Sequence, residues 1–191
     1  MNLVAAILRG HDNDTYMVAS CRKRLQGIPD SVFCPRCGWK TDWRFVRKDY
    51  KLGKRRRDVS ATYDGATIIS NRVRGLLLSL GIEESVFIKI PLEPDFFVLS
   101  PDTVVSFDVQ RRRTRLEEYC EACALYASVA GASPAFFKSL PQGDSWIARS
   151  DVLFGSFHEH HPLIVVSALL ARALQSGSFS GLELETIKAE Q

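Results

Sequence analysis

Long apolar runs are missing from this 191-residue chain. The longest, at residues 3–8 and 163–166, fall far short of the roughly 18–20 residues that a membrane-crossing helix needs. No basic segment precedes the apolar residues at 3–8, and His11, Asp12 and Asp14 follow closely, which is not the layout of a secretory signal. A cytoplasmic protein with no membrane partner is the expectation. Neither sign of charge dominates: 25 basic residues face 22 acidic ones, a net charge of +3 that is too mild to imply nucleic acid by itself. The phosphate-cradling pattern Gly-x-x-x-x-Gly-Lys-Ser/Thr, the dinucleotide pattern Gly-x-Gly-x-x-Gly and the metalloprotease pattern His-Glu-x-x-His are all absent. What comes nearest to a catalytic constellation is His158-Glu159-His160-His161-Pro162. Neighbours in a row cannot all face one centre on a strand or helix, and Pro162 argues for a solvated loop. Such a loop could still serve as an interaction patch that weakens as its imidazoles protonate. Asp144 and Asp151 are scattered acids without a visible partner, so the chain reads as non-enzymatic. Hydrophobic residues at 46% and charged residues at 25% are ordinary for a globular protein, and exclude a disordered chain, a collagen-like fibre and a coiled coil.

Cysteine is scarce but not scattered. Four of the five fall into two pairs, Cys34-Pro-Arg-Cys37-Gly38 and Cys120-Glu-Ala-Cys123-Ala124. Two residues between thiols let both sulfurs of a tight turn face one centre, and a Gly after the second Cys supplies a left-handed position. Two such turns give four thiolates, the ligand set of a closed, structural zinc site. A redox protein needs only one pair, and two disulfides do not suit a cytoplasmic chain. The interval between Cys37 and Cys120 is long, against about 15–20 residues in ordinary zinc ribbons. If one ion is shared, most of the fold lies between its two halves. Ala124 stands where Gly is expected, and the second pair reads as lying at a helix start. Cys21 reads as a small buried hydrophobe.

Along the chain, strand-like stretches at 3–8 and 15–19 flank a polar turn at 11–14, and Trp43, Phe45 and Val46 suggest another short strand. A strand pair at 58–69 turns at Asp64-Gly65. Ser70 caps a helix at 71–80 that Gly81 ends, with Val73, Leu76, Leu77 and Leu80 on one face. Strands follow at 86–90, 96–99 and 104–109, then a helix at about 115–128 and a surface stretch at 131–143. Near the end the earlier phrase returns: a strand at 163–166, Ser167 as cap, a helix at 168–176, Gly177, and a strand at 182–187. The chain is thus either two copies of one unit or a common strand–helix–strand phrase used twice. The fold expected is α+β: one domain over 1–191 of mostly antiparallel short strands with two or three helices. Pseudo-repeat halves at 1–110 and 111–191 would be joined by a four-cysteine zinc.

The sequence resembles the double Cys-x-x-Cys-Gly proteins of myxobacteria and other proteobacteria. Cys34, Pro35, Cys37, Gly38, Cys120 and Cys123 carry the resemblance, together with the hydrophobic-Ser-helix-strand ending. It spans residues 32–187, and Ala124 departs from its second motif. That family is regarded as containing immunity proteins, so the resemblance implies a protein that binds and neutralises a toxin encoded by a neighbouring gene.

Charge supplies the competing reading. Eight basic residues and one acid, Asp49, lie between Arg44 and Arg57. Trp43, Phe45 and Tyr50 interleave with them as stacking platforms do, so a zinc-ribbon nucleic-acid-binding or regulatory protein is the alternative. The mildly basic balance disfavours a DNA-mimic immunity mechanism. For a toxin partner, the expected anchors are Tyr50, Arg55, Arg56 and Arg57 in the basic loop, with Phe157, His158 and His160 in the second loop.

Overall fold

The computed structural model describes residues 3–20 and 23–188, so the expectation for Cys21 lies outside the described residues. In chain order the elements are β1 (Leu3–Asp12), β2 (Ala19–Ser20), β3 (Lys23–Arg24), β4 (Val59–Ala61), β5 (Thr67–Ser70) and α1 (Asn71–Ser79). Then come β6 (Phe87–Ile90), β7 (Glu93–Leu99), β8 (Val104–Val105), α2 (Val109–Arg112), β9 (Arg115–Cys120) and β10 (Leu125–Ala130). The chain closes with β11 (Ile147–Ser156), β12 (His161–Ser167), α3 (Ala168–Ser176) and β13 (Leu182–Lys188). Among the described residues strands predominate, three α-helices accompany them, and an 11-stranded mixed sheet runs in the order β6-β7-β5-β4-β1-β12-β11-β10-β9, with β13 also on β1 and β8 on β11.

The two strand–helix–strand phrases form the same arrangement. β5 and β6 flank β7 and are antiparallel to it, while α1 packs on β5 and β7. In the second phrase β12 and β13 flank β1 and are antiparallel to it, while α3 packs on β1 and β12. Ser70 Oγ accepts the Val73 N–H, and Ser167 Oγ accepts the Leu170 N–H, the N-cap role expected of each. Gly81 takes the left-handed conformation, whereas Gly177 is right-handed and Ser178 carries the positive φ instead. Both helices bury one face (Val73 and Leu77; Leu170, Ala171 and Leu174) in a single core over the sheet. The outer pairings match too. β4 pairs antiparallel with β5 and parallel with the end of β1, as β11 pairs antiparallel with β12 and parallel with β8. β1, at the start of the chain, therefore stands in the second arrangement, although the sequence division placed residues 1–110 together.

Three expectations are corrected. Residues 115–128 are not a helix but the hairpin of β9 and β10, in which Cys120 lies opposite Leu125. No strand forms at Trp43, Phe45 and Val46, where the backbone is irregular. The strand expected at 104–109 is only the two residues of β8, and Val109 begins α2 instead. Among the described residues no helix is long and apolar enough to cross a membrane.

Candidate metal centre

Each cysteine pair sits in a tight turn between two paired backbone segments. In the first, Phe33 and Lys40 form a bridge, the Cys34 N–H donates to the Trp39 carbonyl, and the Gly38 N–H donates to the Cys34 carbonyl at 2.8 Å. In the second, β9 and β10 hold the turn, and the Ala124 N–H donates to the Cys120 carbonyl, also at 2.8 Å. Gly38 has φ +79° and Ala124 has φ +57°. The two turns thus have one geometry, and Ala124 holds the left-handed position that usually needs Gly. The second pair lies in a hairpin turn, not at the helix start expected.

The turns face each other. Cys34 Sγ lies 4.0 Å from Cys120 Sγ, and Cys37 Sγ lies 3.7 Å from Cys123 Sγ. All four sulfurs are within 4.8 Å of one another, and none is in a disulfide. Four thiolates held at about 2.3 Å around a tetrahedral ion stand about 3.8 Å apart, so this donor set fits such an ion. Cys34 is held down at about 6, chiefly by the Cys37 backbone N–H directed at its sulfur, and burial only partly opposes this. Burial pushes Cys120 upward, but the N–H groups of Cys123 and Ala122 and the neighbouring thiols outweigh it and leave Cys120 lowered. Burial dominates at Cys37 and Cys123 and raises both. A metal ion needs all four as thiolates, so binding would release protons. On the outside, exposed Arg36 and Glu121 pair across the two turns at 3.4 Å, a contact that solvent keeps weak.

The histidine segment is not the solvated loop expected. It is the turn between β11 and β12, wedged beneath the first cysteine turn. His160 is fully buried and His158 nearly so. Phe33 stands edge-on to His158 at 5.4 Å, and Trp39 edge-on to His160 at 6.3 Å. Burial pushes His158 down and takes His160 to about 4, so both stay neutral near pH 7. The Phe157 backbone lies close enough to favour a proton on His160, but no hydrogen bond of normal geometry satisfies either ring nitrogen. Phe157 is half-buried with φ +54°. Gly155, with φ +118°, fits this turn for lack of a side chain: a Cβ there would lie 2.5 Å from the Glu159 carbonyl oxygen.

The basic loop divides in two. Tyr50 is not an exposed anchor but fully buried, its hydroxyl taking an Asn13 side-chain N–H at 3.1 Å and meeting Thr15 Oγ1 at 2.8 Å. Leu52 is buried, and its N–H donates to Glu93, which also pairs with Arg56 at 2.9 Å. Arg57 reaches the Asp12 carbonyl, Arg47 pairs with Asp49, and Arg44 pairs with Asp102. Lys48, Lys51, Lys54 and Arg55 are exposed and have no ion-pair or hydrogen-bond partner among the described residues.

Sequence reasoning passed over two features. Asp64, taken as a turn residue, is fully buried, and its carboxylate accepts the N–H groups of Met17, Val18 and Ala19 at 2.9, 2.6 and 3.1 Å. Lys40 is buried beside it and donates to its backbone carbonyl. Burial lowers Lys40, and the Asp64 charge opposes that shift. The second feature is a cleft of about 600 Å³ between the cysteine turns, lined by Arg36, Trp39, Tyr119 and Glu121, with Tyr119 54% exposed. An aromatic residue next to a cysteine turn, Trp39 after Cys37 and Tyr119 before Cys120, was the signal available. No family model matches the sequence, and no curated protein matches it.

Proposed function

We propose that this chain is a non-catalytic immunity protein with one structural zinc ion bound by Cys34, Cys37, Cys120 and Cys123. The observation that carries the metal assignment is the convergence of four thiols from two turns far apart in sequence. Four sulfur ligands complete a tetrahedron and leave no position for substrate or a reactive water, so the ion would fasten structure and supply no chemistry. The toxin partner rests on the sequence resemblance. The matched topology of the two strand–helix–strand units, each with its own cysteine turn, supports an internal duplication in which the first strand of the chain completes the second unit. A cytoplasmic site of action is part of the same proposal.

The partner surface is the pinned basic loop. Tyr50 and Leu52 anchor it, so Lys48, Lys51, Lys54 and Arg55 are presented at low entropic cost to acidic groups of the toxin. Arg56 and Arg57, engaged within the chain, drop from the proposed anchors along with Tyr50, His158 and His160. The test is co-expression with the product of the neighbouring gene. Wild-type protein is expected to co-purify with it and protect the cells. Reversing the four free charges to Glu should abolish protection with zinc content and thermal unfolding unchanged. Full protection by that variant places the interface elsewhere, and no protection by the wild type ends the immunity reading. A submicromolar complex with arbitrary RNA or DNA that falls steeply with salt would favour the nucleic-acid alternative instead.

A further inference from the structure

The two strand–helix–strand units correspond residue by residue. Ser70, Arg74 and Phe87 match Ser167, Ala171 and Leu184 at one constant offset in sequence. The strand that each unit encloses matches as well: Phe97 lies opposite Ile69 and Lys89, as Ala6 lies opposite Val166 and Thr186. Three of the matched positions differ in size. In the first unit the Phe97 and Phe87 rings are buried, and the Arg74 guanidinium lies over them, 4.8 and 5.8 Å from the ring centres. The second unit has Ala6, Leu184 and Ala171 in their places.

All three smaller residues line a pocket of about 290 Å³ bounded by β1, α3 and β13. The space that side chains fill in the first unit therefore stands open in the second, and close-packed proteins seldom leave such space unfilled. Ala6, Ala171 and Leu174 at its floor are buried, whereas Gln175, Ser178 and Thr186 at its mouth are exposed, so the pocket opens to the surface. A dry cavity of about 150 Å³ holds benzene, so this one admits one or two fused rings. Among the described residues its lining holds no charged side chain, so nothing there offsets the burial of a charge. The Phe179 ring offers an aromatic surface in the wall. The Arg72 guanidinium lies over that ring at 4.6 Å and is already paired with Asp58. At the mouth, Gln175, Ser178 and Thr186 can answer one N–H or hydroxyl of a ligand.

The geometry points to a ligand site: this pocket binds a small, free, uncharged aromatic molecule of one or two fused rings. Its ring takes the space that the Phe97 and Phe87 rings occupy in the first unit. The proposal rests on the matched topology of the two units and is independent of the toxin partner and of the metal.

The experiment titrates the purified full-length protein with indole, following the methyl signals of Leu174 and Leu184 by 13C NMR and thermal unfolding in parallel. Indole should bind with a dissociation constant below about 1 mM, shift both sets of methyl signals and raise the melting temperature. Indole-3-carboxylate, which adds a charge, should bind at least about tenfold more weakly. Ala6→Phe and Leu184→Phe each restore the residue of the first unit. Each should weaken indole binding at least about tenfold with no fall in melting temperature, because the added ring enters space already open. Leu184→Phe is the milder change and decides the matter if Ala6→Phe does not fold. N-Acetyl-tryptophanamide should be excluded, and binding as tight as that of indole overturns the free molecule in favour of a side chain from a partner polypeptide. Equal affinity for indole and its carboxylate overturns the proposal. So do methyl signals unmoved at millimolar indole, and so does undiminished binding by a folded Leu184→Phe protein, which would place the indole elsewhere.

Discussion

Ala124 shows how one residue can carry the cost of a motif. It holds φ +57° at the position where Gly38 serves the first turn. A Cβ in the left-handed region costs roughly 1–2 kcal/mol, while Gly pays back part of that through greater freedom when unfolded. Ala124→Gly should therefore raise stability by about 0.5–1 kcal/mol in urea unfolding and leave the metal content at one ion per chain. A loss of stability would mean that Ala124 is not strained. The two cysteine turns and this left-handed position were legible in the sequence, because thiol spacing and turn chemistry are local properties. The fates of Tyr50 and His160 were not. An aromatic residue among lysines and a histidine two positions before a proline both read as exposed. Burial there depends on Asn13, Thr15 and Trp39, which the fold brings in from elsewhere.

At the scale of elements, the two capped helices were readable because the cap, the apolar face and the following Gly coincide within a dozen residues. The hairpin of β9 and β10 was not. Residues 115–128 contain Leu, Glu and Ala, good helix formers, yet pairing across the cysteine turn overrides that preference. β11 escaped notice for a different reason. Its register on β12 slips between Arg149 and Leu153, so the alternation of buried and exposed side chains is broken where it would have been read. The turn between β4 and β5 was legible as a turn but not as a junction. The Asp64 carboxylate there satisfies three N–H groups of residues 17–19, and its charge sits near the buried ammonium of Lys40. Asp64→Asn keeps the shape but removes the charge and turns a donor toward N–H groups that need an acceptor. With hydrogen bonds to charged groups worth about 1.5–3 kcal/mol, that substitution should cost about 2–4 kcal/mol in equilibrium unfolding. A change under 0.5 kcal/mol would show that water or another group can replace the carboxylate.

Across the whole molecule, two devices join the two strand–helix–strand units. One is β1, which lies between β12 and β13 and also pairs with β4 at its far end. The other is the cysteine cluster, to which each half of the chain contributes one turn. The core that buries α1 and α3 contains no residue of either cysteine turn, so removing a bound metal should loosen the turns without melting the sheet. A cross-link closing a loop as long as that between Cys37 and Cys120 is worth about 4–5 kcal/mol, which sets the scale of the loss. The sharper consequence is non-additivity. If one ion is shared, Cys34→Ser alone breaks the clasp as completely as Cys34→Ser with Cys120→Ser, because a single lost ligand opens the tetrahedron and frees both turns. Each single variant should lose its zinc, fall in stability by about 4 kcal/mol, and differ from the double variant by less than about 1 kcal/mol. Separate roles for the two pairs would instead give two losses that sum. Zinc analysis beside urea unfolding of the three variants decides between these outcomes, and a Cys34→Ser protein that keeps a full equivalent of zinc rules out the shared ion.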